Sequence, residues 1–233
     1  MLTLYKKELN YYLNNPVGYL AIILFAVFAN FFFVKDIFVV GSANLRPFFG
    51  IVPWLLLVFI PALAMRIISE EKRTNTMEIL LTLPISETQI VIAKFLALLT
   101  LVIIGCGLTL GLPFFLLFVT KIYLPEILIG YLGLILVSGS FIAISMFFSQ
   151  MTKNQVIAFL FAAITLFFLL VLSSDFLGSM IPRFIQDAFV TIAPIPHLQN
   201  FVNGVIDLRS VFYFISVSAA FLFLTVIDLE KRN

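Results

Sequence analysis

Charge is scarce in this sequence. Of its 233 residues only 11% are Asp, Glu, Lys or Arg, against roughly 25% in soluble domains. There is one cysteine, Cys106, and one histidine, His197. A single cysteine excludes an internal disulfide, and a lone histidine leaves no His/Cys cluster for a metal. Cys106 lies inside an apolar run, where its expected role is small-residue packing. No glycine-rich loop followed by Lys and then Ser or Thr is present, so the chain lacks a phosphate-binding loop. What is abundant is apolar surface: 62% of residues are hydrophobic and 28 are phenylalanine, with a mean hydropathy of +1.16. A soluble fold of this size cannot cover that much apolar surface, so the solvent is a bilayer.

A spanning helix needs about 20 mostly apolar residues. Six candidates meet or approach that length: Val17 to Val34, Phe48 to Ile68, Gln89 to Val119, Glu126 to Phe148, Val156 to Leu172 and Ser210 to Ile227. The third is long enough to tilt or to extend beyond the lipid. No transmembrane strands and no soluble domain are evident, so residues 1–233 read as one all-α, six-helix membrane domain. The basic residues orient it. With both termini cytoplasmic, nine of the 14 Lys and Arg fall inside (Lys6, Lys7, Arg66, Lys72, Arg73, Lys94, Lys153, Lys231 and Arg232) and five outside. That is the expected positive-inside bias. Lys94, one turn inside the third span, is expected to snorkel to the cytoplasmic headgroups.

Two other regions are amphipathic. Near the start, Leu2, Tyr5, Leu9, Tyr12 and Leu13 share a helical face while Lys6, Lys7 and Glu8 fall elsewhere, the pattern of a helix lying in the membrane interface. On the outer side, residues 173–209 show apolar positions at three- and four-residue spacing from Leu177 to Ile192. After Pro194-Ile195-Pro196 the pattern resumes at Leu198, Phe201, Val202, Val205 and Ile206. Two short helices at the outer interface, or dipping into it, are expected there, with His197 as an outer-interface residue.

The densest polar stretch interrupts the chain between the second and third spans: Ser69-Glu70-Glu71-Lys72-Arg73-Thr74-Asn75-Thr76-Met77-Glu78. Upstream, Pro61 removes a backbone hydrogen bond and predicts a kink. Arg66 and Glu70, four apart, can pair on one helical face. Glu70 and Glu71 are expected near the C-terminus of the second helix, where the macrodipole disfavours them. Asn75 tolerates the left-handed backbone that ends a helix. Thr76 can then cap a short helix with Glu78 in its first turn, ended by Pro84. That helix would present Met77, Leu80 and Leu81 as an apolar face inside a charged rim. Ser86 and Gln89 have the spacing of a capping box that opens the third span.

The string from Pro61 through Arg66, Glu70-Glu71-Lys72-Arg73, Thr76, Glu78, Leu80-Leu81 and Pro84 to Ser86 resembles the signature of ABC-2 type transporter permeases. The subgroup most similar to it comprises the permeases of gliding-motility and nitrous-oxide-reductase-maturation ABC systems. Lys7-Glu8-Leu9 through Asn15-Pro16-Val17-Gly18-Tyr19 is similar to that subgroup's N-terminal connecting helix and first span. Pro196-His197 through Phe201, then Gly204 to Phe214, resembles its last outer piece and sixth span. One departure is Asn75, where the family usually has Gly; both accept left-handed backbone. The resemblance implies a six-span ABC-2 type permease in a bacterial inner membrane. It also implies a second permease copy or paralogue as partner, and a cytosolic ATPase subunit carrying ATP and Mg. The chain itself would bind no cofactor and catalyse no reaction. By the same resemblance a coupling helix maps onto residues 76–83, with Glu70, Glu71, Thr76, Met77, Glu78, Leu80, Leu81 and Leu83 at the ATPase interface, Pro61 as the hinge, and export as the direction.

Other classes fit the residues less well. A secondary transporter is expected to carry charged groups near the bilayer midplane, and the centres of the six candidate spans lack them. An intramembrane enzyme needs paired catalytic groups at depth, and none are evident. An ATP-driven transmitter acting on cell-envelope machinery without moving cargo would use the same polar segment.

Overall fold

The computed structural model describes residues 1–40, 45–81, 85–119, 124–172 and 191–231, and all regular structure among them is helical. The helices are α1 (Leu2–Asn14), α2 (Pro16–Val40), α3 (Arg46–Ala64), α4 (Ser69–Arg73), α5 (Thr76–Leu81), α6 (Glu87–Thr109), α7 (Gly111–Val119), α8 (Leu124–Met151), α9 (Gln155–Val171), α10 (Pro194–Val202) and α11 (Leu208–Glu230). Local chemistry sets several of their starts. The Ser86 hydroxyl accepts the Gln89 N–H at 3.4 Å to open α6. Asn154 accepts the Val156 N–H at 2.9 Å to open α9, and Asp207 accepts the Arg209 N–H at 3.1 Å to open α11. Each side chain takes up one of the N–H groups that a helix start leaves orphaned.

Five stretches are long and apolar enough to cross a membrane: Pro16–Lys35, Arg46–Arg73, Glu87–Leu116, Leu124–Met151 and Leu208–Glu230. The remaining expected span corresponds to α9, which is apolar but has 17 residues, about 25 Å of helix. The third expected span is two pieces, because Leu110 turns its N–H to Gly107 at 3.2 Å and α7 begins beyond it.

Helix α8 is the axis of the bundle. It packs against α3, α6, α9, α10 and α11. Glycines let its neighbours approach: a Cβ on Gly130 would lie 2.4 Å from the ring of Phe49, and one on Gly133 would lie 2.6 Å from the Cβ of Phe201. Helix α10 is seated in this way against α8, with Leu198, Phe201 and Val202 buried. Val205 and Ile206, expected to continue its apolar face, are exposed at 56% and 53%, because the helix has ended at Val202. The first expected outer helix falls mostly within residues 173–190, outside the described residues. His197 stacks on Tyr213 with ring centroids 4.2 Å apart and bonds the Ser210 hydroxyl at 3.2 Å and the Thr191 carbonyl at 3.0 Å.

Helix α1 packs along α6 and α2. Its buried face is Leu4, Glu8 and Tyr12; of the stripe expected from hydrophobicity, Tyr12 is buried and Tyr5 and Leu9 pack against the core, while Leu2 and Leu13 are exposed. The elbow into α2 is tight, since a Cβ on Gly18 would lie 2.0 Å from the carbonyl oxygen of Tyr12. Backbone cannot give way as a flexible side-chain tip can. Gly18→Ala is therefore expected to destabilise the chain by about 1–3 kcal/mol and to loosen α1. A fall in melting temperature with faster proteolysis within residues 2–14 is the expected readout; an unchanged melting temperature would show that the elbow adjusts.

Candidate functional site

The polar interruption folds around a helix break. Helix α3 runs through Pro61 to Ala64, so the departure comes one turn after the proline rather than at it. Residues 65–68 form turns, and α4 then begins at Ser69. The break releases backbone groups that a continuous helix would pair, and buried groups of this kind need partners. Ile67 donates to Ala64 at 3.1 Å instead of to Leu63. The freed Leu63 carbonyl accepts the Tyr12 hydroxyl from α1 at 2.9 Å. The N–H groups of Ile68 and Ser69 both donate to the Ser149 hydroxyl of α8, at 3.3 and 3.2 Å. Ser149 in turn donates to the Met65 carbonyl at 3.0 Å, which also accepts the Ser69 hydroxyl. The Ile67 carbonyl accepts the Lys94 ammonium of α6 at 2.9 Å. Side chains from α1, α6 and α8 thus hold one irregular turn open.

Lys94 does more than cap a carbonyl. It is fully buried and pairs with Glu71 of α4 at 2.8 Å and Glu8 of α1 at 3.1 Å. This corrects the expectation that Lys94 snorkels to headgroups, and it brings Glu8, expected off the apolar face of α1, into the buried side of that helix. Two carboxylates and a carbonyl within the fold satisfy the ammonium, so it has no need to reach the surface. Tyr12 sits beside the same cluster. Burial, reinforced by the charge of Glu8, pushes its phenol well above the usual tyrosine range, so it remains a neutral donor to Leu63.

The break also changes the reading of the acids. Glu70 and Glu71 lie in the first turn of α4, with Lys72 and Arg73 in its last. The expectation placed them at a helix C-terminus; the new helix start makes their charge favourable to the dipole. Glu70 pairs with Arg66 at 3.1 Å and with Arg73 at 3.5 Å. Lys72 is buried and donates to the Gln150 carbonyl at the end of α8. Asn75 ends α4 with a φ of 56°, the left-handed turn its side chain tolerates.

Thr76 is the first residue of α5 rather than its cap. It is exposed, and its hydroxyl bonds Thr74 at 2.9 Å and the Glu71 carbonyl at 3.4 Å. Met77 and Leu80 are buried in the chain's own core. That differs from the expected outward apolar face: in a six-residue helix these two side chains hold α5 to the bundle. The side chains of Glu78 and Leu81, and the whole of Leu83, lie outside the described residues. Between α1 and this segment a cleft of about 340 Å³ opens, lined by Lys7, Tyr11, Arg66, Glu70, Thr74 and Thr76 among others. The exposed edge formed by Arg73, Thr74, Asn75 and Thr76 borders it.

Of the residues singled out from sequence, the structure brings Glu70, Glu71 and Thr76 together around α4 and the start of α5. Sequence reasoning missed Glu8, Tyr12, Lys94 and Ser149. Lys94 carried one signal: a lysine at the eighth position of an apolar helix requires a counter-charge, and Glu8 and Glu71 are acids in the flanking segments. Ser149 carried none, because a serine near a helix end looks alike whether it bonds its own helix or a neighbour.

Comparison with known families matches residues 35–226 to the model described as ABC-2 family transporter protein. The match takes in the broken helix, α8 and α10 and leaves out α1. No curated protein matches the chain.

Proposed function

The chain belongs to the ABC-2 transporter family, and on that premise we propose that it is a membrane permease driven by a separate cytosolic ATPase that docks on residues 69–81. Family membership and the apolar helices make it a transmembrane transport component and not itself a catalyst. The observation that carries the docking reading is the break at residues 65–68. A short charged helix pair is offset from α3 and tied through Glu71–Lys94 to α6 and through Ser69–Ser149 to α8, with Glu8 of α1 on the same Lys94, so a force on it is distributed to three helices at once. The absence of a phosphate loop in the sequence supports assigning ATP and Mg to the partner. The proposed contact edge comprises Glu70, Glu71, Thr76 and Glu78, with Leu81 and Leu83 following and Met77 and Leu80 anchoring α5 from within. Pro61 is the proposed hinge.

The finer reading follows the sequence. The nine-to-five distribution of basic residues supports cytoplasmic termini, and α9 supplies the sixth span. A second permease copy or paralogue completes the pathway, the membrane is the bacterial inner membrane, and the direction is export. The resemblance to gliding-motility and nitrous-oxide-reductase-maturation permeases supports an assembly acting on the cell envelope. The test is direct. The tagged chain, purified from its own membranes in mild detergent, is expected to carry Mg-dependent ATP hydrolysis inhibited by vanadate. A preparation that holds the folded chain and hydrolyses no ATP would contradict the proposal.

A further inference from the structure

Helix α8 contains four buried serines whose hydroxyls are described. Ser138, Ser140 and Ser145 each donate to a carbonyl three or four residues back in α8 itself, at 2.6, 2.8 and 2.7 Å. That is the usual habit of serine inside a membrane helix. Ser149 departs from it. A hydroxyl has one proton to donate and two lone pairs to accept, and Ser149 directs all three at the break in the facing helix: Met65, Ile68 and Ser69. The next residue repeats the connection, since the Gln150 carbonyl accepts the buried Lys72 ammonium of α4. The end of α8 is therefore fastened to the offset segment, and the Ser149 hydroxyl uses all of its bonding capacity there.

The other half of α8 is equally tight. At Gly133, 16 residues away and about 24 Å along the axis, a Cβ would meet Phe201 at 2.6 Å and Leu198 at 3.0 Å. Helix α10 thus rests on bare α8 backbone. Close-packed contacts of this kind leave little free volume to absorb a shift, so a slide or rotation of α8 displaces α10 rather than being taken up between them.

We propose that Ser149 is a positioning residue that locks α8 to the helix break, making α8 the rod that relates the state of residues 65–73 to the seating of α10. The inference rests on the permease reading for its purpose, but its geometry involves this chain alone. It adds α8 and α10 to the proposed docking segment and its hinge.

The test uses the whole chain in lipid nanodiscs without any ATPase, so its failure is separable from failure of the docking proposal. Val202 is buried against the bundle, and a Val202→Cys variant reports when α10 lifts. Labelling by a water-soluble maleimide is measured against the background of buried Cys106. Adding Ser149→Ala is expected to raise the labelling rate about five-fold, the factor one net hydrogen bond is worth, and to speed amide exchange at residues 65–69. Ser149→Thr, which keeps the hydroxyl, is expected to label at the unmodified rate, as is Ser145→Ala, whose bond lies within α8. Faster exchange at the break with unchanged labelling at residue 202 would overturn the rod. So would unchanged exchange, an equal rise in Ser145→Ala, or a rise in Ser149→Thr matching that of Ser149→Ala.

Discussion

Replacing Lys94 by Met is expected to lower the stability of the folded chain by about 3–5 kcal/mol, the range found when one partner of a buried ion pair is removed. The ammonium is fully buried and bonded to three acceptors: Glu8, Glu71 and the Ile67 carbonyl. Methionine fits a similar volume and contributes no charge. The variant leaves Glu8, itself only 6% exposed, without its cation, and it strips the break of a donor. Helix α1 is held to α6 through this point and the Tyr5–Thr100 hydroxyl pair, and to the end of α3 through Tyr12, so it should detach first. Thermal unfolding in detergent micelles measures the loss, and proteolysis within residues 2–14 locates it.

The same reasoning predicts a partial rescue. In the triple variant Lys94→Met, Glu8→Gln, Glu71→Gln the uncompensated carboxylates are gone, and at least half of the lost stability should return. Removing both signs of a buried pair is far less harmful than removing one. If Lys94→Met melts at the unmodified temperature, the ion cluster does not hold α1 in place, and the account of this site fails at its centre.

How much of this was legible in the sequence depends on the range of the interaction. Local signals read well. Ser86 caps α6 at a spacing of three residues, Asn75 takes the left-handed turn, and Arg66 pairs with Glu70 at a spacing of four. The apolar stretches also correspond to helices, because in lipid only internally bonded backbone is tolerated. Long-range pairing did not read. Lys94 meets Glu8 across 86 positions and Ser149 meets Ser69 across 80, and no periodicity encodes such contacts.

The misreadings share a cause. An amphipathic pattern assigns charge to water and apolar side chains to the hidden face. On α1 that rule turned Glu8 outward, although Lys94 draws it in. On α5 the sequence treated Met77 and Leu80 as an exposed docking face, although in a helix this short they anchor it to the bundle. The kink was expected at Pro61 because proline is the visible helix breaker. The break falls at residues 65–68, where neighbouring side chains stand ready to satisfy the released groups. The secondary-transporter alternative was set aside because the span centres lack charge. The Lys94 cluster is buried charge, but it is bonded to the turn it supports and sits near the start of α6.

The second large effect concerns the docking edge. Thr76 is exposed on the shoulder beside Arg73, Thr74 and Asn75, and Glu78 follows it by two residues. Two lysines there add about three positive charges to the edge and replace neither Met77, Leu80 nor a member of the Lys94 cluster. Thr76→Lys combined with Glu78→Lys is therefore expected to leave the melting temperature of the chain within a degree or two, since substitutions that replace no residue of the Lys94 or Ser149 networks have small effects on stability. Like charges placed at a partner's docking surface cost several kcal/mol of affinity, so the partner should be lost almost completely.

The decisive measurement is the rate of Mg-ATP hydrolysis that co-purifies with equal amounts of folded chain, unmodified or carrying Thr76→Lys and Glu78→Lys. The docking account predicts activity with the unmodified chain and a loss of about 100-fold or more with the variant, the factor that roughly 3 kcal/mol of affinity gives. Equal hydrolysis from the two preparations would contradict it.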